Sequence, residues 1–158
     1  MTSFEPIICE VKTDRHSRLL SNYKRRTNAT IEWLSDSHWQ SLTVIESYLL
    51  RIHWQQYKHV YRLMFIRDES EEVVAILGFR VEEYLRSGRT LTVDDFATLR
   101  RARGKGFGHL LMEWAINYAK GLNCEQISLD WSYSRTDAHR FYMNHKFIKD
   151  SLHLVQKL

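Results

Sequence analysis

The stretch Leu99–Leu111 reads LRRARGKGFGHLL and decides the fold of this 158-residue chain. Its three glycines, Gly104, Gly106 and Gly108, follow a segment of strand composition and come directly before a long helical pattern. Glycine permits positive φ values and lets a ligand approach the backbone closely. The first N–H groups of a helix lack partners within it and lie at the positive end of its dipole. The stretch therefore predicts an anion site, suited to phosphate, at a strand–helix junction.

Two other phosphate-binding motifs fit this stretch badly. A Walker loop needs Ser or Thr after its lysine, whereas Lys105 is followed by Gly106. A dinucleotide fingerprint needs a third glycine where His109 stands, although Asp130 ends the next predicted strand about where a ribose-binding acid would lie. The antiparallel strands predicted upstream also argue against a dinucleotide fold.

Hydrophobic periodicity predicts the elements on both sides of the glycines. The best helical pattern is Phe107–Leu122, preceded by a strand at Leu91–Thr98. Four antiparallel strands followed by a strand–helix–strand crossover predict a mixed α+β sheet. The other predicted elements are strands at Thr30–Leu34, Tyr61–Ile66, Val73–Val81, Gln126–Trp131 and Phe147–Leu158, and helices at Asp36–Arg51, His53–Val60 and Thr136–Asn144.

Composition limits the class of protein. With 44% hydrophobic and 27% charged residues, the chain matches an average globular domain, and its formal charge of +4 does not identify a partner. No apolar run approaches the ~20 residues that span a bilayer, and Met1–Lys12 has no signal-peptide pattern, so we expect a cytoplasmic protein. Cys9 and Cys124 cannot form a disulfide framework, and no histidine, cysteine or acid cluster has ligand spacing, so we expect no metal.

Two motifs in the chain, Arg101–Gly106 in the glycine stretch and Asp137–Tyr142 followed by Phe147, resemble those of the GNAT-type N-acetyltransferases, which use acetyl-CoA. The segment Arg101–Gly106 is similar to the family's Arg/Gln-x-x-Gly-x-Gly/Ala motif. The segment Asp137–Tyr142, followed by Phe147, is similar to the family's Ala-x-x-Phe-Tyr helix. The resemblance covers residues 30–158, which we predict to be the N-acetyltransferase domain, and residues 1–29 are predicted to be an N-terminal extension.

The chain departs from the family's pattern at two positions near the second motif. Arg135 stands where the family often has Asn, and Lys146 stands where it usually has Gly before Phe147. The first departure changes the side chain that the resemblance places near the pantetheine arm. The second predicts a different turn at the end of that helix.

The resemblance implies a GNAT-like, mostly antiparallel sheet with flanking helices, splayed between Leu91–Thr98 and Gln126–Trp131. Acetyl-CoA would pair with backbone groups inside this splay and rest its pyrophosphate on the amides of the glycine stretch. The residues expected to contact it are Phe96, Ala97, Thr98, Arg101, Arg103, Gly104, Lys105, Gly106, Phe107, Gly108, His109, Arg135 and Ala138.

The resemblance also suggests catalytic residues. Tyr142 resembles the family's general acid, which protonates the departing thiolate, and the N–H of Ala97 or Thr98 is the candidate oxyanion donor. The base stays open, and strand alternation sends Asp94 and Asp95 to opposite faces, so that only one can reach the site. We favour these two over Glu83 among the acids near the splay, which are Glu82, Glu83, Asp94, Asp95 and Asp130.

The function predicted on this basis is direct transfer of an acetyl group from acetyl-CoA to a primary amine in a ternary complex. A small molecule or a protein could carry the amine, and the acids near the splay would attract a cation. The alternatives are a catalytically silent acyl-CoA-binding module of the same fold and, less favoured, a nucleic-acid binder using Arg15–Arg26 and Arg100–Lys105. We expect no membrane partner, and the final strand leaves a homodimer open.

Overall fold

The computed structural model of the chain describes residues 8–10, 60–70, 72–132 and 135–158. Their centre is a five-stranded sheet in the order β1-β2-β3-β4-β5. The pairs β1–β2, β2–β3 and β3–β4 are antiparallel, whereas β5 runs parallel to β4. The strands are β1 Ile8–Glu10, β2 Arg62–Arg67, β3 Val73–Tyr84, β4 Gly88–Thr98 and β5 Gln126–Leu129.

Two α-helices flank the described sheet. Helix α1, Phe107–Gly121, makes the crossover between the parallel strands β4 and β5, and helix α2, Thr136–Asn144, follows β5. A single 3-10 turn, Arg100–Ala102, connects β4 to the glycine loop. The predicted α+β class is confirmed, and strands β2 to β5 and both helices lie close to their predicted positions. The predicted Thr30–Leu34 strand, the Asp36–Arg51 helix and nearly all of the His53–Val60 helix lie outside the described residues.

The core lies between the sheet and α1. Every residue of β3 from Val73 to Phe79 is buried, as its nearly continuous apolar sequence predicts for a strand covered on both faces. The Phe79 ring packs against α1, with its centroid 5.8 Å from that of Trp114 and 5.6 Å from that of Tyr118. On α1 the buried side chains recur at helical spacing, as Leu111, Met112, Ala115 and Ala119.

Strand β4 contains a bulge that opens the sheet. Gly78 of β3 is paired with Asp95 and Phe79 with Val93, so Asp94 is an extra residue in β4. Pairing between β4 and β5 covers only residues 90–93 of β4 and ends at Val93. A bulge bends its strand and increases the local twist. Residues 94–98 therefore diverge from β5, and the predicted splay between the two parallel strands is present.

Strand β1 was not predicted. Ile8–Glu10 pairs with residues 64–66 of β2 at one edge of the sheet, although it belongs to the segment that the sequence set apart as an extension. Its two apolar residues, Ile8 and Cys9, are too few to produce a periodic signal. The boundary between residues 29 and 30 stays a prediction.

The predicted final strand, Phe147–Leu158, was wrong. These residues form neither helix nor strand, and large apolar side chains such as Leu152 and Leu154 are exposed by 73% and 89%. Alternating apolar residues form a strand only where a neighbouring edge supplies backbone partners. The four residues of β5 are too few to pair with a twelve-residue segment, and the homodimer that the sequence left open stays a prediction.

Neither of the described helices is long and apolar enough to cross a bilayer.

Leu91 offers a test of the paired half of β4. Its side chain is fully buried, whereas Leu152 is exposed by 73%. We expect Leu91→Ala to lower the free energy of unfolding by about 2–5 kcal/mol because it leaves a cavity beside β5. The matched Leu152→Ala should change it by less than about 0.5 kcal/mol. Urea unfolding followed by circular dichroism measures both, and equal effects would contradict the core described above.

Candidate functional site

A cavity of about 670 Å³ opens where β4 and β5 diverge. Its walls come from the free half of β4, the glycine loop, the first turn of α1 and the inner face of α2. Most of the residues predicted to contact acetyl-CoA line it, together with Tyr142 and three that were not predicted, Ala102, Thr136 and Phe141. The predicted contacts that line it are Phe96, Ala97, Thr98, Arg103, Gly104, Gly106, Phe107, Gly108, His109, Arg135 and Ala138.

The first turn of α1 presents backbone N–H groups to this cavity. Gly106 caps the helix in the left-handed conformation, with φ of 88°, and Gly104 has φ of 77°. A Cβ added at either glycine would meet no heavy atom within 4 Å, so the loop leaves open space above the helix. No acidic residue occupies the first turn. The N–H groups that lack a helical partner therefore form the positively polarised cradle that the sequence predicts.

Gly108 brings α1 close to the other walls of the cavity. A Cβ on this residue would lie 3.4 Å from Oγ1 of Thr98 and 3.6 Å from both Phe96 and Phe141. A side chain larger than a methyl group would therefore fill the space between the helix and the diverging strand. The glycine at this position keeps the cleft open.

The free edge of β4 exposes alternate backbone groups. The N–H of Leu99 donates to the carbonyl of Val74 on β3 at 3.1 Å. Backbone groups alternate in direction along a strand, so the N–H of Ala97 also points toward β3, and those of Phe96 and Thr98 point toward the cavity. The carbonyl of Thr98 accepts a bond from Nε of Arg103 at 3.2 Å. Of the two predicted oxyanion donors, only Thr98 faces the cleft.

Tyr142 lies on the inner face of α2 and is 8% exposed. Its ring centroid is 6.4 Å from that of Phe96 on β4 and 5.8 Å from that of Phe147. Burial raises the pKa of the Tyr142 hydroxyl, and the positive charge of Arg135 opposes this. The phenol is therefore protonated at neutral pH, and it lines the cavity as a proton donor.

Asp94 and Asp95 lie on the same face of the sheet, contrary to the prediction. The carboxylate of Asp94 binds the Arg80 guanidinium through two bonds of 2.8 and 2.7 Å. That of Asp95 lies 3.0 Å from the position of a Cβ on Gly78. Gly78 and Arg80 are two residues apart on β3 and share a face, which is opposite to that of Phe79 and α1. The bulge interrupts the alternation on which the prediction relied.

The two aspartates have different electrostatic surroundings. Asp94 is neutralised by Arg80, and the pair raises the pKa of that guanidinium. Asp95 accepts a hydrogen bond of 2.6 Å from the hydroxyl of Tyr61, which is 3% exposed. Burial raises the pKa of Asp95, the Tyr61 bond opposes the rise, and the charge of Asp94 adds to it. Asp95 thus combines a buried carboxylate with an uncharged partner.

Five predicted site residues do not line the cavity, namely Asp94 and Asp95 on the opposite face of the sheet, and Arg101, Lys105 and Glu83. Arg101 forms ion pairs with Asp68 and Glu72 in the turn between β2 and β3. The exposed Lys105 does not line the cavity. Glu83 pairs with Arg89 at 2.6 Å, about 20 Å along β3 from the residues opposite the cavity. The sequence placed Arg101 and Lys105 in the glycine stretch and Glu83 near the splay, but it could not identify the partners of these charges.

The two departures near α2 have different outcomes. Lys146 adopts a φ of 65°, in the region that favours glycine, so the chain makes that kind of turn without a glycine. Whether this turn differs from the family's, as the sequence predicts, stays a prediction. Arg135 lines the cavity and acts on the pKa of Tyr142. It contributes a positive charge where an amide was expected.

A histidine pair borders the first turn of α1. Nε2 of His145, at the end of α2, lies 2.9 Å from Nδ1 of His109, and the two rings contact the Phe141 ring in tilted arrangements, with centroid distances of 4.7 and 4.9 Å. Burial and the neighbouring His109 lower the pKa of His145, whereas Glu113 opposes this. The pair ties the two helices together beside the cavity. The sequence analysis did not predict it.

Comparison with known proteins identifies the family. Residues 27–147 match the model of the acetyltransferase (GNAT) family. The chain belongs to the GNAT acetyltransferase family. It is also 32% identical over 98 residues to the uncharacterized N-acetyltransferase YhdJ of Bacillus subtilis, which covers 62% of this chain and 68% of that protein.

Solved structures share the GNAT fold of this chain. A transcriptional regulator from Bacillus halodurans superposes with a TM-score of 0.77 at 24% identity, over 98% of this chain and 100% of the other. Glucosamine-6-phosphate N-acetyltransferase from Arabidopsis thaliana has a TM-score of 0.68 at 18% identity, over 98% and 99%. At these identities the likeness shows the fold alone.

Within the described part of this GNAT chain, no three histidine, cysteine or acidic side chains lie close enough to hold a metal ion.

The charge of Arg135 beside Tyr142 can be tested by titration. Arg135→Gln removes the positive charge that favours the phenolate, so we expect the pKa of Tyr142 to rise further. Arg140→Gln, a matched change at an exposed position on the same helix, should leave it unchanged. The phenolate absorbance of each protein minus that of its Tyr142→Phe counterpart measures the pKa. A fall in the Arg135→Gln protein would contradict the geometry.

Proposed function

We propose that this GNAT protein is an N-acetyltransferase that moves an acetyl group from acetyl-CoA directly to a primary amine. The observation that carries the proposal is the opening of β4 from β5 beside the first turn of α1. This opening combines an anion cradle, unpaired strand groups and a protonated tyrosine within one cavity of about 670 Å³. These are the three features that a diphosphate, an amide-containing arm and a thiolate leaving group require.

The glycine loop fits the diphosphate of acetyl-CoA. Gly104 and Gly106 leave space for two phosphate groups, and the N–H groups of Phe107, Gly108 and His109 lack partners in the helix. Helix dipole and N–H donors both favour an anion at this point. The adjoining edge of β4 would receive the pantetheine arm as an added strand through the groups of Phe96 and Thr98.

Acetyl-CoA would supply a thioester carbonyl at the point where the strands part. The N–H of Thr98 is then the donor that stabilises negative charge developing on the carbonyl oxygen. Tyr142 gives its proton to the sulfur as the C–S bond breaks, so that CoA leaves as a thiol. A phenol with a raised pKa keeps this proton at neutral pH until a stronger base, the thiolate, is generated.

Asp95 is the proposed base. It accepts one proton from the ammonium form of the acceptor, which leaves a neutral amine to attack the carbonyl. Asp94 is less suited because Arg80 neutralises it through two hydrogen bonds. The nitrogen loses a second proton when the amide forms. This proton equals in number the one that Tyr142 gives to the sulfur, so the tyrosine can be protonated again. The net reaction releases one proton to solvent, which Asp95 passes on.

Acid and base are proposed to act from opposite sides of the sheet. Tyr142 contacts Phe96, which is paired with Leu77 and shares the face of Phe79. Asp95 lies on the other face, beside Gly78. Acetyl-CoA would then come from the side of α1 and the amine from the opposite side, which is the arrangement that direct transfer requires.

The acceptor is proposed to be a cationic primary amine, because a buried carboxylate with a neutral partner attracts a cation. One relative of the same fold is named for glucosamine-6-phosphate, which contains an amine. The second candidate is an acyl-CoA-binding module without catalysis. The buried Tyr142 and Asp95 favour the enzyme. Thiol release measured with a panel of amines would separate the two, and a cytoplasmic location stays a prediction.

Gly106 tests the proposed diphosphate site. Gly106→Asp puts a carboxylate at the helix terminus without a steric clash, so we expect acetyl-CoA to bind on the order of 100-fold more weakly. Gly106→Asn has the same shape and backbone strain but no charge, and it should bind more tightly than Gly106→Asp. Calorimetry with acetyl-CoA measures both, and unchanged binding in the aspartate variant would remove the assignment.

Tyr142 tests the proposed acid. Tyr142→Phe keeps the ring contacts with Phe96 and Phe147 and removes only the hydroxyl. We expect kcat to fall by about 10²-fold or more, while the Kd for acetyl-CoA changes less than about threefold. Steady-state thiol release and calorimetry provide the two values. An unchanged kcat would return Tyr142 to the role of a packing residue.

A further inference from the structure

A contact that the mechanism above does not use surrounds the carboxylate of Asp95. Tyr61 immediately precedes β2 and is 34 residues away in sequence, yet its hydroxyl donates to Oδ2 of Asp95 at 2.6 Å. Both residues are shielded from water, since Tyr61 is 3% exposed and Asp95 is half-buried. A hydrogen bond to a charged group in such surroundings restricts the rotamer of the carboxylate and favours its ionised form.

Gly78 makes room for this bond. A Cβ on Gly78 would lie 1.8 Å from the hydroxyl oxygen of Tyr61 and 2.5 Å from the ring carbon that bears it. Both distances are far inside van der Waals contact, so any other residue at this position would displace the Tyr61 hydroxyl. Gly78 is also the partner of Asp95 across the strands. The hydrogen bond between Tyr61 and Asp95 therefore depends on the lack of a side chain at Gly78.

The bulge gives its two aspartates separate partners. Arg80 holds Asp94 and also lies 3.4 Å from Glu82, so these three charges form their own group on β3 and β4. Tyr61 donates its hydroxyl hydrogen to Asp95 instead. Among the described residues, the side chains that act on Asp95 are Tyr61, which donates to it, and Asp94, whose negative charge repels it and which Arg80 holds on the same face of the sheet.

We propose that Tyr61 is a positioning residue for the transfer reaction, which holds Asp95 at the bulge by a hydrogen bond that Gly78 makes possible. The inference rests on the proposed function, in which Asp95 takes the proton of the acceptor amine. With Oδ2 engaged by Tyr61, Oδ1 is the oxygen that receives this proton. Tyr61 touches neither reacting atom and acts through Asp95.

The test is the pH dependence of kcat/KM for one amine in the wild-type and Tyr61→Phe proteins. Removing the donor destabilises the carboxylate, so the acidic limb of the profile should move to higher pH by about one unit. Well below the limb this lowers kcat/KM about tenfold, and on the plateau the two proteins should differ less than about twofold. A purely structural role for Tyr61 would lower the rate equally at every pH and would overturn the proposal.

Tyr84→Phe is the matched control. Tyr84 also donates to a carboxylate, that of Glu82, at 2.8 Å, but both side chains are at the far end of β3 and do not line the cavity. Loss of this bond should move neither the limb nor the plateau. A shift equal to that of Tyr61→Phe would mean that the profile does not report on Asp95.

Titration of Asp95 by NMR of its side-chain carboxyl carbon gives a readout without activity. We expect its pKa to be higher in Tyr61→Phe than in the wild type, and Gly78→Ala should raise it in the same direction by displacing the hydroxyl. Near-UV circular dichroism shows whether the alanine variant keeps its tertiary packing. An unchanged pKa in Tyr61→Phe would overturn the inference even if Gly78→Ala fails to fold.

Asp95→Asn separates this inference from the proposed function. If Asp95→Asn retains the wild-type kcat, then Asp95 is not the base and the proposed mechanism fails whatever Tyr61 does. If Asp95→Asn is inactive while Tyr61→Phe keeps the wild-type pH profile, the mechanism stands and the role of Tyr61 fails. Loss of activity in the first and a displaced limb in the second is the result that we expect.

Discussion

Backbone pairing between β4 and β5 stops at Val93, and the candidate site depends on this limit. The extra residue at Asp94 turns the remainder of β4 away from its parallel neighbour, which leaves alternate N–H and carbonyl groups without a strand beside them. Unpaired backbone groups in a sheet interior are costly unless a ligand or water satisfies them. The bulge at Asp94 therefore creates both the space for a peptide-like arm and the unpaired backbone groups to which that arm can hydrogen-bond.

Other parts of the molecule hold this opening in shape. The glycine loop starts α1 against the free half of β4, and the Arg103 side chain bonds back to the carbonyl of Thr98. Arg101 anchors the same loop to the turn between β2 and β3 through Asp68 and Glu72. The His109–His145 contact joins the start of α1 to the end of α2. The cavity walls are thus fixed before a ligand arrives, which lowers the ordering cost of binding.

The sequence predicted the features that local chemistry determines. Glycines before a helical pattern predict a loop with left-handed residues and exposed amides. The sequence therefore predicted the site around Gly106 and the helices that carry His109 and Tyr142. Contacts between distant segments were not. Neither the partners of Arg101 nor the bond between Tyr61 and Asp95 leaves a periodic signal, because they depend on which strands become neighbours.

Two errors have the same physical origin. The opposite orientation predicted for Asp94 and Asp95 assumed regular alternation, and the final strand was predicted from alternation alone. Alternation describes a segment only where regular pairing exists on a neighbouring strand. The bulge removes that regularity in β4, and the short β5 does not supply a long enough edge for residues 147–158.

The closeness of Gly78 to the ring of Tyr61 also constrains how this protein can change over evolutionary time. A methyl group at position 78 would overlap the phenol oxygen, whereas a smaller side chain at position 61 would relieve that overlap. The two positions, 17 residues apart, are therefore epistatic, and neither can drift freely while the other is kept. A descendant protein with a larger residue at position 78 should therefore have acquired a smaller residue at position 61 first.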